Sequence, residues 1–113
     1  MKYDLWFGES KLASVTRTGA DFPSLWGEYQ LEEGIREDDR LRHVVEYIDY
    51  SIRTAPLFEA ARPHVPRVDE EDNFIDLIES KQWFLLDEKG EREPILIPIF
   101  HSERDIGWRW RFE

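Results

Sequence analysis

The chain carries 25 acidic against 15 basic residues over 113 positions, a formal charge of -10, so its field repels phosphate backbones and argues against a nucleic-acid role. With 41% hydrophobic and 14% aromatic residues it is too apolar for a disordered chain and large enough for one core, so residues 1–113 are expected to form a single domain. The absence of cysteine removes disulfides, thiolate metal sites and cysteine nucleophiles together.

The opening MKYDLWFGES has no apolar run of leader length, and no stretch approaches the roughly 20 apolar residues of a membrane helix. The expectation is a soluble, cytoplasmic protein with no membrane partner. YDLWF and KLASVTR flank the turn-type tripeptide GES and read as a β-hairpin. TGADFP, with Gly19 and Pro23, then breaks the pattern. SLWGEYQLE resumes it, with Leu25, Gly27, Tyr29 and Leu31 on one face and Trp26, Glu28, Gln30 and Glu32 on the other.

From Glu37 the period becomes helical. Leu41, Val44, Val45, Ile48, Ile52 and Ala55 follow the spacing of one buried face, with Asp38 or Asp39 as cap. Arg42 with Glu46 and Asp49 with Arg53 are i, i+4 pairs of opposite charge. Pro56 ends this helix on sequence grounds and suits the first turn of a short second one through PLFEAAR. Pro63 and Pro66 then force a loop. VDEEDNFIDLIESK reads as a further short helix, capped by Asp69, whose first turn welcomes Glu70, Glu71 and Asp72, and whose buried side is Phe74, Ile75, Leu77 and Ile78.

Strands return in QWFLLDE, in EPILIPIFH after the turn-like KGER, and in IGWRWRFE after SERD. Both faces of PILIPIF are apolar, which predicts burial on both sides, with a bulge at Pro98. In the closing strand, alternation sends Trp108, Trp110 and Phe112 inward and Arg109, Arg111 and Glu113 outward. The two arginines then pair with carboxylates such as Glu28 or Glu88, or form an anion site through their guanidinium forks. Three strands, helices and three strands without βαβ alternation make an α+β fold, with an antiparallel sheet of about six strands against one long helix and one or two short ones.

Little catalytic chemistry is visible. Asp69, Glu71 and Asn73 fail as an EF-hand loop because Phe74 stands where the glycine belongs and Ser80 replaces the bidentate glutamate. His43, His64 and His101 lack zinc spacing, no G-x-S-x-G surrounds a serine, and the 6 glycines form no phosphate loop. Neither a catalytic set, a metal nor a cofactor is therefore expected. Asp21, Glu28, Glu103 and His101 would make an acid–base pocket only if folding gathered them.

A second stripe on the long helix, His43, Tyr47, Tyr50 and Thr54, either flanks the core or forms a partner-binding face. The D-F-P turn at Asp21–Pro23, the strand LWGEY and the W-x-W-R ending resemble a group of short uncharacterised bacterial proteins. That resemblance implies a single bacterial domain and no particular activity. The leading expectation is a non-enzymatic binding or protein–protein interaction protein that meets an unknown protein partner or itself through His43, Tyr47, Tyr50, Arg109 and Arg111. The rivals are an acidic toxin-neutralising or nucleic-acid-mimicking protein, using the acidic stretches Glu32–Asp39 and Asp69–Glu79, and a small acid–base enzyme.

Overall fold

Strict alternation at the start of the chain, with Tyr3 and Leu5 buried between more exposed neighbours, produces a sheet from the first residues onward. A computed structural model describes residues 1–21, 23–60 and 73–111, the side chains of 56–60 excepted. Its elements are β1 (Lys2–Phe7), β2 (Ser10–Asp21), β3 (Ser24–Leu31), α1 (Arg42–Ala60), α2 (Ile75–Ile78), β4 (Trp83–Asp87), β5 (Arg92–Pro94), β6 (Ile99–Phe100) and β7 (Asp105–Arg109). The described residues thus form an α+β fold with a seven-stranded sheet in the order β5-β4-β1-β2-β3-β7-β6, every neighbouring pair antiparallel.

The β1–β2 hairpin turns on Gly8 and Glu9. Gly8 has φ 60°, the first central position that a II′ turn reserves for glycine. β2 does not stop at Gly19 as the composition of TGADFP predicts. It runs to Asp21, with its register against β3 shifting by one residue between Arg17 and Gly19. The glycines around this bulge are steric necessities: a side chain at Gly19 would enter the Trp26 indole, and one at Gly27 the Thr16 carbonyl. Phe22, the middle of the D-F-P turn, lies outside the described residues.

EPILIPIFH is one strand in sequence and two in space. β5 pairs with β4 and β6 with β7. Between them Ile95 donates to the Trp83 carbonyl at 3.2 Å and bridges to Trp110, so the sheet curls until its two ends approach each other. The break falls at the buried Pro98, which has no N–H for a ladder. Burial does not follow alternation through the segment: Ile95, Pro98 and Phe100 are buried, whereas Leu96 and Ile99 are exposed.

Helix α1 covers the free edge of β6. The Ser51 hydroxyl donates to the Phe100 carbonyl at 3.1 Å and accepts from the Phe100 N–H at 2.8 Å. The Tyr47 hydroxyl donates to the Pro98 carbonyl at 2.7 Å. Backbone groups that a further strand would satisfy are thus satisfied by helix side chains, which also closes an edge that would otherwise invite pairing.

Helix boundaries differ from the sequence reading at both ends. Residues Ile35–Glu37 and Asp39–Leu41 are 3-10 turns, and Asp38 accepts from the Arg40 N–H. The α-helix starts only at Arg42 and continues through Pro56 to Ala60. A proline there leaves the Ile52 carbonyl without its amide partner, and tertiary packing of the preceding turns outweighs that loss. Arg42 pairs with Asp39 and Asp49 with Arg36, each at 3.1 Å, in place of the i, i+4 partners. In α2, Phe74 just before it and Leu77 are buried, while Ile75 and Ile78 are exposed. Residues 61–72, with the expected loop and the Asp69 cap, lie outside the described residues, as do Phe112 and Glu113. No helix of the described residues is long and apolar enough to cross a membrane.

Candidate functional site

The outer face of β3, β7 and β6 carries the feature the sequence reading did not find. Register places Trp26 opposite Gly107 and Gly107 opposite Ile99, so an indole, a bare backbone and a sec-butyl group stand in one row across three strands. Trp26 leans over Gly19, away from Gly107. The next row pairs Ser24 with Arg109, and beside it the Leu96 N–H donates to the Arg109 carbonyl at 3.0 Å.

Trp26, Leu96 and Ile99 are 43%, 47% and 48% exposed, and they wall a groove of about 640 Å³. His101 leans across one end: a side-chain carbon on Gly107 would approach its Nε2 to 3.0 Å. The volume is that of a small-molecule site, and the lining, mostly apolar with a few polar groups, is the composition such sites have. Ile97 and Ile99 also line a smaller cavity of about 250 Å³ beside Tyr50, Thr54 and Ile78.

Electrostatics separate the groove's two ends. Arg109 and Ser24 stand at one end, and neither side chain has a hydrogen-bond or ion-pair partner among the described residues. Beyond Gly107 the row is Glu28 opposite Asp105, and Glu28 is held by Arg104 at 2.7 Å. Glu28 therefore does not meet Arg109, and Glu88 accepts from the Lys2 backbone, so the expected pairing of the closing arginines with these two acids does not form. Arg111, expected in full solvent, is half-buried, and its N–H donates to the Pro94 carbonyl at 3.0 Å. The two arginines do not act as a matched fork.

The helix stripe is covered by the chain itself. Tyr47, Tyr50 and Thr54 are buried, and the Phe74 ring lies 5.7 Å from that of Tyr47 and 4.9 Å from that of Tyr50. Burial pushes the Tyr47 hydroxyl far above its ordinary pKa, and it stays a neutral donor to Pro98. His43 stacks on Phe74 with ring centroids 5.3 Å apart and bonds the Asp76 carboxylate at 3.0 Å. That bond is the main reason the Asp76 pKa falls below the usual carboxylate range.

Of the acid–base candidates, Asp21, His101 and Glu103 are exposed, and Glu28 holds Arg104. The Ser102 hydroxyl accepts from the N–H groups of Arg104 and Asp105 at 3.1 and 2.9 Å, which fixes the turn into β7. Its carbonyl accepts from Tyr29 at 2.6 Å, and burial pushes the Tyr29 pKa up to about 12. Among the described residues no three His, Asp or Glu side chains gather as a metal site would require. The acidic stretch Glu32–Asp39 is partly neutralised within the chain, with Glu32 on Lys11 and Asp38 on Arg40.

One sequence signal did point to the groove. Trp26 falls on the same strand face as Glu28 and Gln30, and a tryptophan among solvent-facing polar residues marks an exposed apolar surface. Reading PILIPIF as buried on both sides concealed its partners Leu96 and Ile99. Compared with known protein families, with curated proteins and with solved structures, the chain matches none.

Proposed function

We propose that this chain is a non-enzymatic binding domain whose site is the outer groove over Gly107. The observation that carries the proposal is the in-register row Trp26–Gly107–Ile99, which holds large apolar side chains open to solvent around a floor with no side chain. An exposed tryptophan and two exposed aliphatic residues around one groove lose water when a ligand covers them, at roughly 25 cal/mol per Å² of apolar surface removed. The strands beneath are rigid and paired on both sides at β7, so the walls are set before a ligand arrives.

Filling the floor tests this reading. Gly107→Leu places a side chain in the groove while His101 gives way, at a position without positive φ, so the fold is retained. A panel of small aromatic and aliphatic compounds is screened by thermal shift against both proteins. Compounds that raise the melting temperature of the native chain and not of Gly107→Leu support the groove. Equal shifts in both proteins contradict it.

A further inference from the structure

We infer that the groove's occupant is an apolar monocarboxylate, a small aryl or alkyl acid whose carboxylate is held by Arg109 and Ser24 and whose hydrocarbon body lies on Gly107 between Trp26 and Ile99. This rests on the groove being the binding site and adds the chemical class of what it binds. Ser24 and Arg109 are direct cross-strand partners on the outward face, so their side chains start about 5 Å apart and point the same way. Arg109 supplies a planar fork of N–H donors and Ser24 a hydroxyl, which together match the two oxygens of one carboxylate.

Charge within the fold makes Arg109 distinctive as a groove-lining group. Arg36, Arg40, Arg42 and Arg104 are each held by a carboxylate, and Arg92 lies over the Phe84 ring at 4.5 Å. In a chain with 25 acidic residues, Arg109 lines the groove with no carboxylate upon it among the described residues. The apolar walls beside it lower the local dielectric and strengthen an ion pair formed there.

Groove polarity fixes both the direction and the number of charges. Two residues along a strand advance about 6.8 Å, so the Gly107 row lies roughly that far from the Ser24–Arg109 row and the Glu28–Asp105 row as far again. An acid with a short linker seats its ring on Gly107 while its carboxylate stays at Arg109. A second carboxylate at the far end would find the Arg104 guanidinium already engaged by Glu28 and would approach Asp105, which disfavours dicarboxylates of that length.

The probes are 4-phenylbutanoate and its uncharged analogue 4-phenylbutanamide, titrated calorimetrically into the native chain, Arg109→Gln and Gly107→Leu. The acid binds the native chain at least about tenfold more tightly than the amide, the difference expected of charge-assisted hydrogen bonds. Arg109→Gln removes most of that difference, and added salt weakens the acid far more than the amide. Equal binding of acid and amide, both lost in Gly107→Leu, overturns the carboxylate inference while the groove remains the site. Acid binding that survives Gly107→Leu overturns both. If neither probe binds the native chain at millimolar concentration, an aryl acid is not the occupant and the inference falls.

Discussion

Ser51 is the residue on which the seam between helix and sheet depends most. Its hydroxyl serves both backbone groups of Phe100, and both residues are buried, Phe100 completely. Ser51→Ala removes one oxygen, creates almost no cavity and improves helix propensity by a few tenths of a kcal/mol. Its cost therefore reports the two hydrogen bonds. A buried N–H left without an acceptor costs about 1–3 kcal/mol, and the carbonyl loses a further bond of about 1 kcal/mol, giving a destabilisation of about 2–4 kcal/mol. Urea unfolding followed by tryptophan fluorescence reads this directly. With an m-value of about 1.5 kcal/mol per molar for a chain of this size, the midpoint falls by about 1.3–2.7 M at unchanged slope. A loss below about 0.5 kcal/mol would show that the free edge of β6 is satisfied some other way, and the account of α1 as a substitute strand would be wrong.

Further outcomes follow from the same structure. Tyr47→Phe deletes the bond to the Pro98 carbonyl while keeping the ring, and chemical denaturation should show a loss of about 1 kcal/mol. Pro56→Ala restores an amide inside α1 and should raise stability by about 1–3 kcal/mol in the same assay; an unchanged midpoint would mean that the helix is relaxed around the proline. The Glu93 pKa is raised, chiefly by burial and then by Asp87 and Glu91, so the folded state disfavours its charge and stability falls as pH rises from the unfolded-state pKa through the folded one. Glu93→Gln is accordingly more stable than the native chain at pH 7, and melting curves taken at falling pH should show that advantage vanish once the carboxyl is protonated.

Periodicity carried the architecture well where one face was buried and one solvated. The first hairpin, the β3 strand and the inward direction of Trp108 all follow from alternation, and in β3 even the face of each residue was legible. Composition misled where tertiary contact decides. Gly19 looked like a break because glycine weakens a strand, yet it remains in β2 because Trp26 needs the space over it. Pro56 looked like a stop, but α1 continues past it to Ala60. The groove was only half legible, since Trp26 was visible on a polar face while the row it forms with Gly107 and Ile99 depends on strand order, which no local pattern contains. The helix stripe of Tyr47 and Tyr50 was visible as unusual, but whether it faced a partner or the chain itself rested on Phe74, which arrives from 24 residues downstream of Tyr50.

The groove as binding site is tested most directly by an amide chemical-shift map, recorded on the native chain during titration with 4-phenylbutanoate. The account predicts that the largest movements cluster at Trp26, Gly107, Arg109 and Leu96, together with the Trp26 indole N–H. Movements concentrated instead on α1 and α2, around Tyr50 and Ile78, or scattered over the surface would contradict it.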